Sequence, residues 1–277
     1  MGVALRRTRR FSVIERDAVA LPRVAAAAAA SSEVIRLLRE RGYVIVTALE
    51  RGLVEAVRAQ ERAFLEFYGR SEARKERCVG TVYLSERGQP MFARGYERQA
   101  RVRECFRSQA AAPEAQPWPS REARGAWVDL VGRLGALADA VLDAALGDGP
   151  RPEGGRSEDF SLAYSFLYGV DDGGANGGCR GTLVGEHADV SLVVVEPVSR
   201  VPGLEVFDRG LGRWVRVEEA AAPGEELVLF GGKALEHWTG IPACRHRVVK
   251  CAPPRTRHVF LFEQKYAAFF DHVRPYD

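Results

Sequence analysis

A chain of 277 residues with 46% hydrophobic and 28% charged residues, 28 Gly and 14 Pro has the composition of a globular domain with a sizeable core, which excludes collagen-like and disordered classes. A net charge of +3 is too small to announce nucleic acid as a partner, and the arginines at Arg6, Arg7, Arg9 and Arg10 read as a solvated basic tail over residues 1–10. No run approaches the roughly 20 apolar residues of a membrane-spanning helix, no secretory pattern follows the N-terminal arginines, and the five cysteines form no C-x-x-C pair; the expected setting is cytoplasmic, with organelle transit as the alternative.

Phe11 to Ile14 reads as a short edge strand. Ser31 and Ser32 offer caps for a helix that runs to Arg41 and stops at Gly42, after which Tyr43 to Val46 reads as a strand. Leu53, Val57, Phe64 and Tyr68 recur at helical spacing and predict an amphipathic helix. The segment from Tyr83 to Tyr96 reads as a loop, either simply packed or facing a substrate. A longer helix is predicted over 126–146, where Trp127, Leu130, Leu134, Leu137, Val141 and Ala145 share one face before Asp148-Gly149-Pro150 ends it.

After Phe160 the texture changes to short apolar runs broken by Gly and Pro: 162–168, 190–195, 204–207, 214–217, 226–230 and 259–262, with a flexible loop at Asp171 to Gly178. Short strands with no helical pattern between them predict an antiparallel sandwich or barrel. The chain therefore reads as one domain over 11–277, with a helix-rich part at 11–159 and a β core at 160–265.

Within the β-rich half stands Glu186-His187-Ala188-Asp189. Residues two apart on a strand face the same side, so His187 and Asp189 are expected to point together into the barrel. Alone this pair is commonplace, but Cys244-Arg245-His246-Arg247-Val248-Val249 adds another His at the start of a later strand. Two His and a carboxylate make the facial triad of non-haem Fe(II) oxygenases, which leaves three positions on the metal open. Further on stand Arg255 and Arg257, and a guanidinium there can hold a dicarboxylate in bidentate fashion. His237 is a rival for the distal ligand, His258 and His272 read as structural or exposed, and Cys244 and Cys251 as small apolar fillers.

In this order the motifs resemble the Fe(II)- and 2-oxoglutarate-dependent oxygenases of the isopenicillin N synthase-like group, over about residues 11–262. The family's H-x-D is matched by His187-Ala188-Asp189 and its H-R-V by His246-Arg247-Val248. Its V-P-G-L-x-V is matched by Val201-Pro202-Gly203-Leu204-Glu205-Val206, and its W-x-x-V by Trp214-Val215-Arg216-Val217. Gly232 to Gly240 is similar to G-D-x-L-x-x-W-T-N-G, with Lys233 in place of Asp. Ser12-Val13-Ile14, Arg41-Gly42-Tyr43 and Arg103-Glu104-Cys105-Phe106 extend the likeness into the N-terminal half. Two departures stand out: the R-x-S becomes Arg257-His258-Val259, losing the Ser hydroxyl, and N-x-Y-x-P is represented by Phe166-Leu167-Tyr168-Gly169.

The resemblance implies a double-stranded β-helix (jelly roll), mainly β with N-terminal helices buttressing one sheet. It implies an Fe(II)/2-oxoglutarate-dependent dioxygenase, an oxidoreductase acting on a small-molecule C–H bond, most simply by hydroxylation. His187, Asp189 and His246 would then be the metal and catalytic residues, and Arg257 and Tyr168 the residues holding 2-oxoglutarate; Asp189 argues against halogenation. The implied partners are a small-molecule substrate and molecular oxygen, with no nucleic acid and no membrane, and the oligomeric state stays open. Two alternatives remain: an iron-dependent oxidase of the same scaffold that does not use 2-oxoglutarate, and a metal-free binding protein on the same fold. The mouth is expected to be comparatively open, with the Lys265 to His272 turn and Tyr83 to Tyr96 as its lid material; the alternative is that Phe269 and Phe270 simply pack against the outer sheet.

Overall fold

The computed structural model describes residues 20–84, 90–99, 103–110, 113, 116–147, 149, 161–169, 181–250 and 256–265. The strand expected at Phe11 to Ile14, the loop at Asp171 to Gly178 and the lid residues 266–272 lie outside the described residues. The N-terminal part runs β1 (Arg23–Ala25), α1 (Ser32–Arg41), β2 (Tyr43–Thr47), α2 (Arg51–Tyr68), α3 (Glu72–Glu76), β3 (Val79–Leu84), β4 (Pro90–Gln99), β5 (Arg103–Gln109) and α4 (Arg121–Leu146). There follow β6 (Leu162–Tyr168), β7 (Thr182–His187), β8 (Val193–Pro197), β9 (Leu204–Asp208), β10 (Arg213–Arg216), α5 (Val217–Ala220), β11 (Leu227–Gly231), α6 (Lys233–Thr239), β12 (His246–Val249) and β13 (Arg257–Glu263).

Two sheets result, a major one in the order β1-β2-β11-β8-β13-β6-β5-β4-β3 and a minor one in the order β10-β9-β12-β7. The alternation of β2 shows how the layers are made. Val44 and Val46 face the helices, in a buried cluster with Leu38 of α1, Phe64 of α2 and Trp127 and Leu134 of α4. Tyr43 and Ile45 face the other way, clustering with Leu204 and Val206 of β9 and Val215 of β10. A strand buried on both faces reads as a continuous apolar run, which is why β2, β8 and β11 stand out in the sequence. The helices thus buttress one face of the major sheet and the minor sheet covers the other, the jelly-roll arrangement expected.

Gly42 ends α1 in the left-handed region, φ 91°, donating its N–H to Leu38 O. Beside it Arg41 reaches Asp208 at the end of β9 through Nε and Nη2, and Tyr43 donates its O–H to the same carboxylate at 3.1 Å. The Arg41-Gly42-Tyr43 motif therefore pins the first helix to the minor sheet. Ser120 caps α4 by accepting from Ala123 N at 3.0 Å, which starts that helix five residues ahead of the expected 126.

The Tyr83–Tyr96 segment is not the loop expected of it: β3 and β4 occupy most of it and, with β5, extend the major sheet. Polar residues of β4 find partners on neighbouring elements, as Glu97 does in Arg107 of β5 at 3.4 Å, which hid the pattern. Lys75 of α3 pairs with Glu104 of β5 at 2.6 Å, and Tyr96 of β4 donates to that carboxylate at 2.8 Å. Among the described residues the N-terminal part carries five strands, β1 to β5, alongside α1 to α4.

Candidate metal centre and cavity

β7 and β12 are hydrogen-bonded neighbours, and their register sets His187 directly opposite His246, with ring centroids 4.2 Å apart. Asp189 joins them differently from the expectation. The strand ends at His187, so His187 and Asp189 do not share a strand face; the chain turns, and Asp189 reaches back from beyond the end of β7. Its Oδ1 lies 3.5 Å from His187 Nε2 and its Oδ2 3.6 Å from His246 Nε2.

The turn carrying Asp189 is fixed by the start of α6. Lys233 donates its backbone N–H to Asp189 O at 2.8 Å, and Gly232 N donates to Leu192 O at 3.0 Å. A Cβ on Gly232 would stand 2.3 Å from Ser191 O and 2.7 Å from Asp189 O, so only glycine permits this approach. The Lys in place of Asp matters little here, because its contribution is an N–H that almost any residue supplies. The same turn displaces the start of β8 from the expected Val190 to Val193.

Each His is oriented by a backbone carbonyl, His187 Nδ1 by Gly185 O at 2.8 Å and His246 Nδ1 by Cys244 O at 3.3 Å. With Nδ1–H donated, Nε2 of each ring keeps its lone pair and faces Asp189, the arrangement of a ligating imidazole. One atom from each of the three residues lies within 4.8 Å of the others, and among the described residues this is the one His/Cys/Asp/Glu group so arranged. Adjacent ligands on an octahedral ion with bonds of ~2.1 Å stand about 3 Å apart, so small side-chain adjustments bring this set onto one cation.

When the His187 ring is protonated its Nε2–H can donate to Asp189, which raises the His187 pKa against the effect of burial, whereas burial lowers that of His246 despite the nearby carboxylate. For Asp189 itself burial pushes upward, but the His187 hydrogen bond and the charges of both His hold it below the usual carboxylate range. An anion between two imidazoles is a donor set suited to a divalent cation.

A cavity of about 220 Å³ runs between the sheets from this cluster to Arg257. The His187 side chain at its mouth is 40% exposed, and that of Arg257 at its closed end 4%. The wall is made by rows across β13, β6 and β5: Arg257 opposite Tyr168 opposite Arg103, then Val259, Phe166 and Cys105. Tyr168 stands beside Arg257, whose guanidinium is 5.6 Å from its ring centroid, and Arg103 donates to the Tyr168 hydroxyl at 3.4 Å. Arg257 donates from Nε to Val201 O at 3.1 Å and from Nη2 to Glu218 at 2.7 Å and Glu196 at 3.3 Å.

The structure thus brings His187, Asp189 and His246 together at one end and Arg257 with Tyr168 at the other. His237 lies exposed on α6, apart from the cluster. His258 points to the opposite face of β13, where its Nε2 is 2.9 Å from Ser165 Oγ and its ring packs on Tyr68. Cys244 is buried as expected of a filler; Cys251, Arg255 and His272 lie outside the described residues. Glu196 and Glu218 are site residues that no sequence motif marks. For Glu196 the signal was present, an acid inside the apolar run Val193-Val194-Val195.

No family model matches the chain, and no curated protein is similar to it. Solved structures do share its fold. The rice dioxygenase for auxin oxidation superposes with a TM-score of 0.66 at 20% identity, covering 89% of this chain and 83% of that one. Dioxygenase for auxin oxidation 1 from Arabidopsis thaliana, in a binary complex with 2-oxoglutarate, gives 0.66 at 16%, covering 89% and 93%. A full-length Neurospora crassa protein in complex with alpha-KG and 5-formyluracil gives 0.63 at 14%, covering 92% and 87%. Among the described residues no helix is long and apolar enough to cross a membrane.

Proposed function

We propose that the chain, a single domain over 11–277, is a non-haem Fe(II)- and 2-oxoglutarate-dependent dioxygenase that hydroxylates a C–H bond of a small molecule. The observation that carries this reading is the cluster at the cavity mouth: two Nε2 atoms and a carboxylate turned toward one another, each imidazole anchored through Nδ1 to a backbone carbonyl. A metal-free binding protein has no need of that arrangement. Iron held there by His187, Asp189 and His246 supplies the activation of dioxygen that couples oxidation of the 2-oxo acid to succinate and CO2 with oxidation of the substrate.

The residues present also fit a dicarboxylate. Nη1 of Arg257 makes no hydrogen bond with the described residues and can pair with the distal carboxylate, and the Tyr168 hydroxyl accepts from Arg103 and retains its own proton to donate. Leu204, Phe230 and Val248 line the span between Arg257 and the triad and keep water from the carbon chain of the ligand. Two fold neighbours were solved with 2-oxoglutarate or alpha-KG, which supports the same ligand class here.

Val259 and the two acids on Arg257 favour one second reading, an oxidase of the same scaffold that does without 2-oxoglutarate. Anaerobic reconstitution followed by turnover against a metabolite panel tests both. About one Fe(II) per chain with succinate formed from 2-oxoglutarate is the expected result; iron binding without succinate under any condition selects the oxidase.

A further inference from the structure

The acids around Arg257 outnumber its charge. Glu218 accepts from Arg257 Nη2 at 2.7 Å and from the backbone N–H groups of Ser199, Gly203 and Leu204 at 3.3, 2.6 and 2.8 Å. Every one of these contacts is a donor, so the Glu218 carboxylate answers the guanidinium. Glu196 then approaches the same Nη2 at 3.3 Å from β8, with its side chain only 6% exposed. A second anion there would be buried without a charge of its own to balance it, and it would repel the distal carboxylate of any dicarboxylate entering the cavity it lines. A neutral carboxyl group avoids both costs and carries an O–H that can be donated. Burial pushes the Glu196 carboxyl up to about 8 against the pull of Arg257, with Glu218 and Asp189 adding to the rise.

Resting on the reading of this cavity as a 2-oxoglutarate site, we propose that Glu196 is a specificity-determining residue of its closed end, donating its carboxyl O–H to the distal carboxylate of the ligand beside Arg257 Nη1. This supplies a donor on a wall where Val259, facing the same cavity, has none. The distal carboxylate is thus met by the charged Arg257 and by neutral donors, Glu196 beside Tyr168.

The charged and titratable groups facing Glu196 are Arg257 on β13, Glu218 on α5, Tyr168 on β6 with Arg103 at its hydroxyl, and Asp189 at the mouth; its partner on β11 is the apolar Val228. Asp189 lies below its usual range and the Tyr168 phenol, mainly through burial, above its own. The group at this end that changes charge between about pH 7 and about pH 9 is therefore Glu196.

The test is anaerobic titration calorimetry of the Fe(II)-loaded full chain with 2-oxoglutarate and with 2-oxovalerate, the same 2-oxo acid without the distal carboxylate. The ratio of the two affinities isolates the closed end from the metal. In the wild type the preference for 2-oxoglutarate should be about tenfold or more near pH 7 and should shrink several-fold near pH 9. Glu196→Gln keeps a neutral donor and should hold the ratio at both values, while Glu196→Leu should lose about tenfold. A wild-type ratio independent of pH, or its loss in Glu196→Gln, overturns the role of Glu196 and leaves the cosubstrate reading standing. Failure of the iron-loaded wild type to bind 2-oxoglutarate at either pH overturns both.

Discussion

At the mouth of the cavity, two imidazoles and a carboxylate face one another with backbone carbonyls behind the rings and the Nε2 and carboxylate atoms turned inward. At the closed end Arg257 is held by a backbone carbonyl and two buried acids before any ligand arrives. The first end is a donor set that could take up a cation. At the second, the guanidinium already has acceptors of its own, so an incoming anion must compete with them through hydrogen-bond geometry. One cavity thus pairs a region organised for addition with a region organised for stability, and substitutions should separate the two.

The largest effect belongs to the mouth. His187→Ala or Asp189→Ala should abolish turnover and stoichiometric Fe(II) binding, read by metal analysis after anaerobic reconstitution, while costing little fold stability because the side chains lie at a partly exposed rim. Stoichiometric iron retained after removal of all three side chains would end the assignment of this cluster. Zn or Ni found in air-purified protein would not, since such ions commonly enter sites of this kind.

The closed end should respond the opposite way. Glu218→Ala leaves a buried guanidinium and three backbone N–H groups without their acceptor, and should cost about 3–5 kcal/mol in urea unfolding. Glu218→Gln keeps an acceptor and should cost less. A Glu218→Ala protein as stable as wild type would mean that Glu196 and Val201 O satisfy Arg257 without it.

A smaller effect comes from the back of the same strand. Burial, helped by the charge of Arg257, pushes His258 down to about 3 from the ordinary 6.5. The unfolded chain then binds a proton below 6.5 that the folded chain refuses until about 3, so the stability present above 6.5 is lost as pH falls through that window. The slope is at most about 1.4 kcal/mol per pH unit, or roughly 2 kcal/mol at pH 5. His258→Gln, which can still pair with Ser165, should flatten that part of the pH profile of the unfolding midpoint; parallel profiles for the two proteins would place His258 in contact with water instead.

What could be read in advance follows the same division between exposed pattern and buried compensation. Gly42 and the helical spacing through Tyr68 placed α1, β2 and α2, since a left-handed cap and a repeated apolar stripe are local signals. The strands β4 and β5 were illegible because their charges meet partners on other elements, as Glu104 meets Lys75 and Glu97 meets Arg107, and no single segment shows that pairing. Strand alternation led to the vicinity of His187, Asp189 and His246 but misplaced Asp189, whose position depends on a glycine more than forty residues away, Gly232, packed against its turn. Glu218 was illegible for the same reason: its importance lies in donors supplied by the 199–204 turn and by β13.

The last expectation concerns the row next to Arg257, where Val259 faces the cavity opposite Phe166 and is 3% exposed. A hydroxyl on the cavity-facing wall would give the distal carboxylate one more donor, and a charge-assisted hydrogen bond contributes roughly 1.5–3 kcal/mol when both partners are otherwise desolvated. Serine is smaller than valine, so the substitution also removes apolar contact in the cluster Val259 shares with Phe166 and Val248, at a cost of about 1 kcal/mol or more. The two effects fall on different measurements. Val259→Ser should tighten 2-oxoglutarate about tenfold or more in anaerobic calorimetry and leave 2-oxovalerate unchanged, while unfolding at slightly lower urea. Equal tightening of both ligands would mean that the gain comes from added room near the metal rather than from the closed end, and would remove Val259 from the recognition of the second carboxylate.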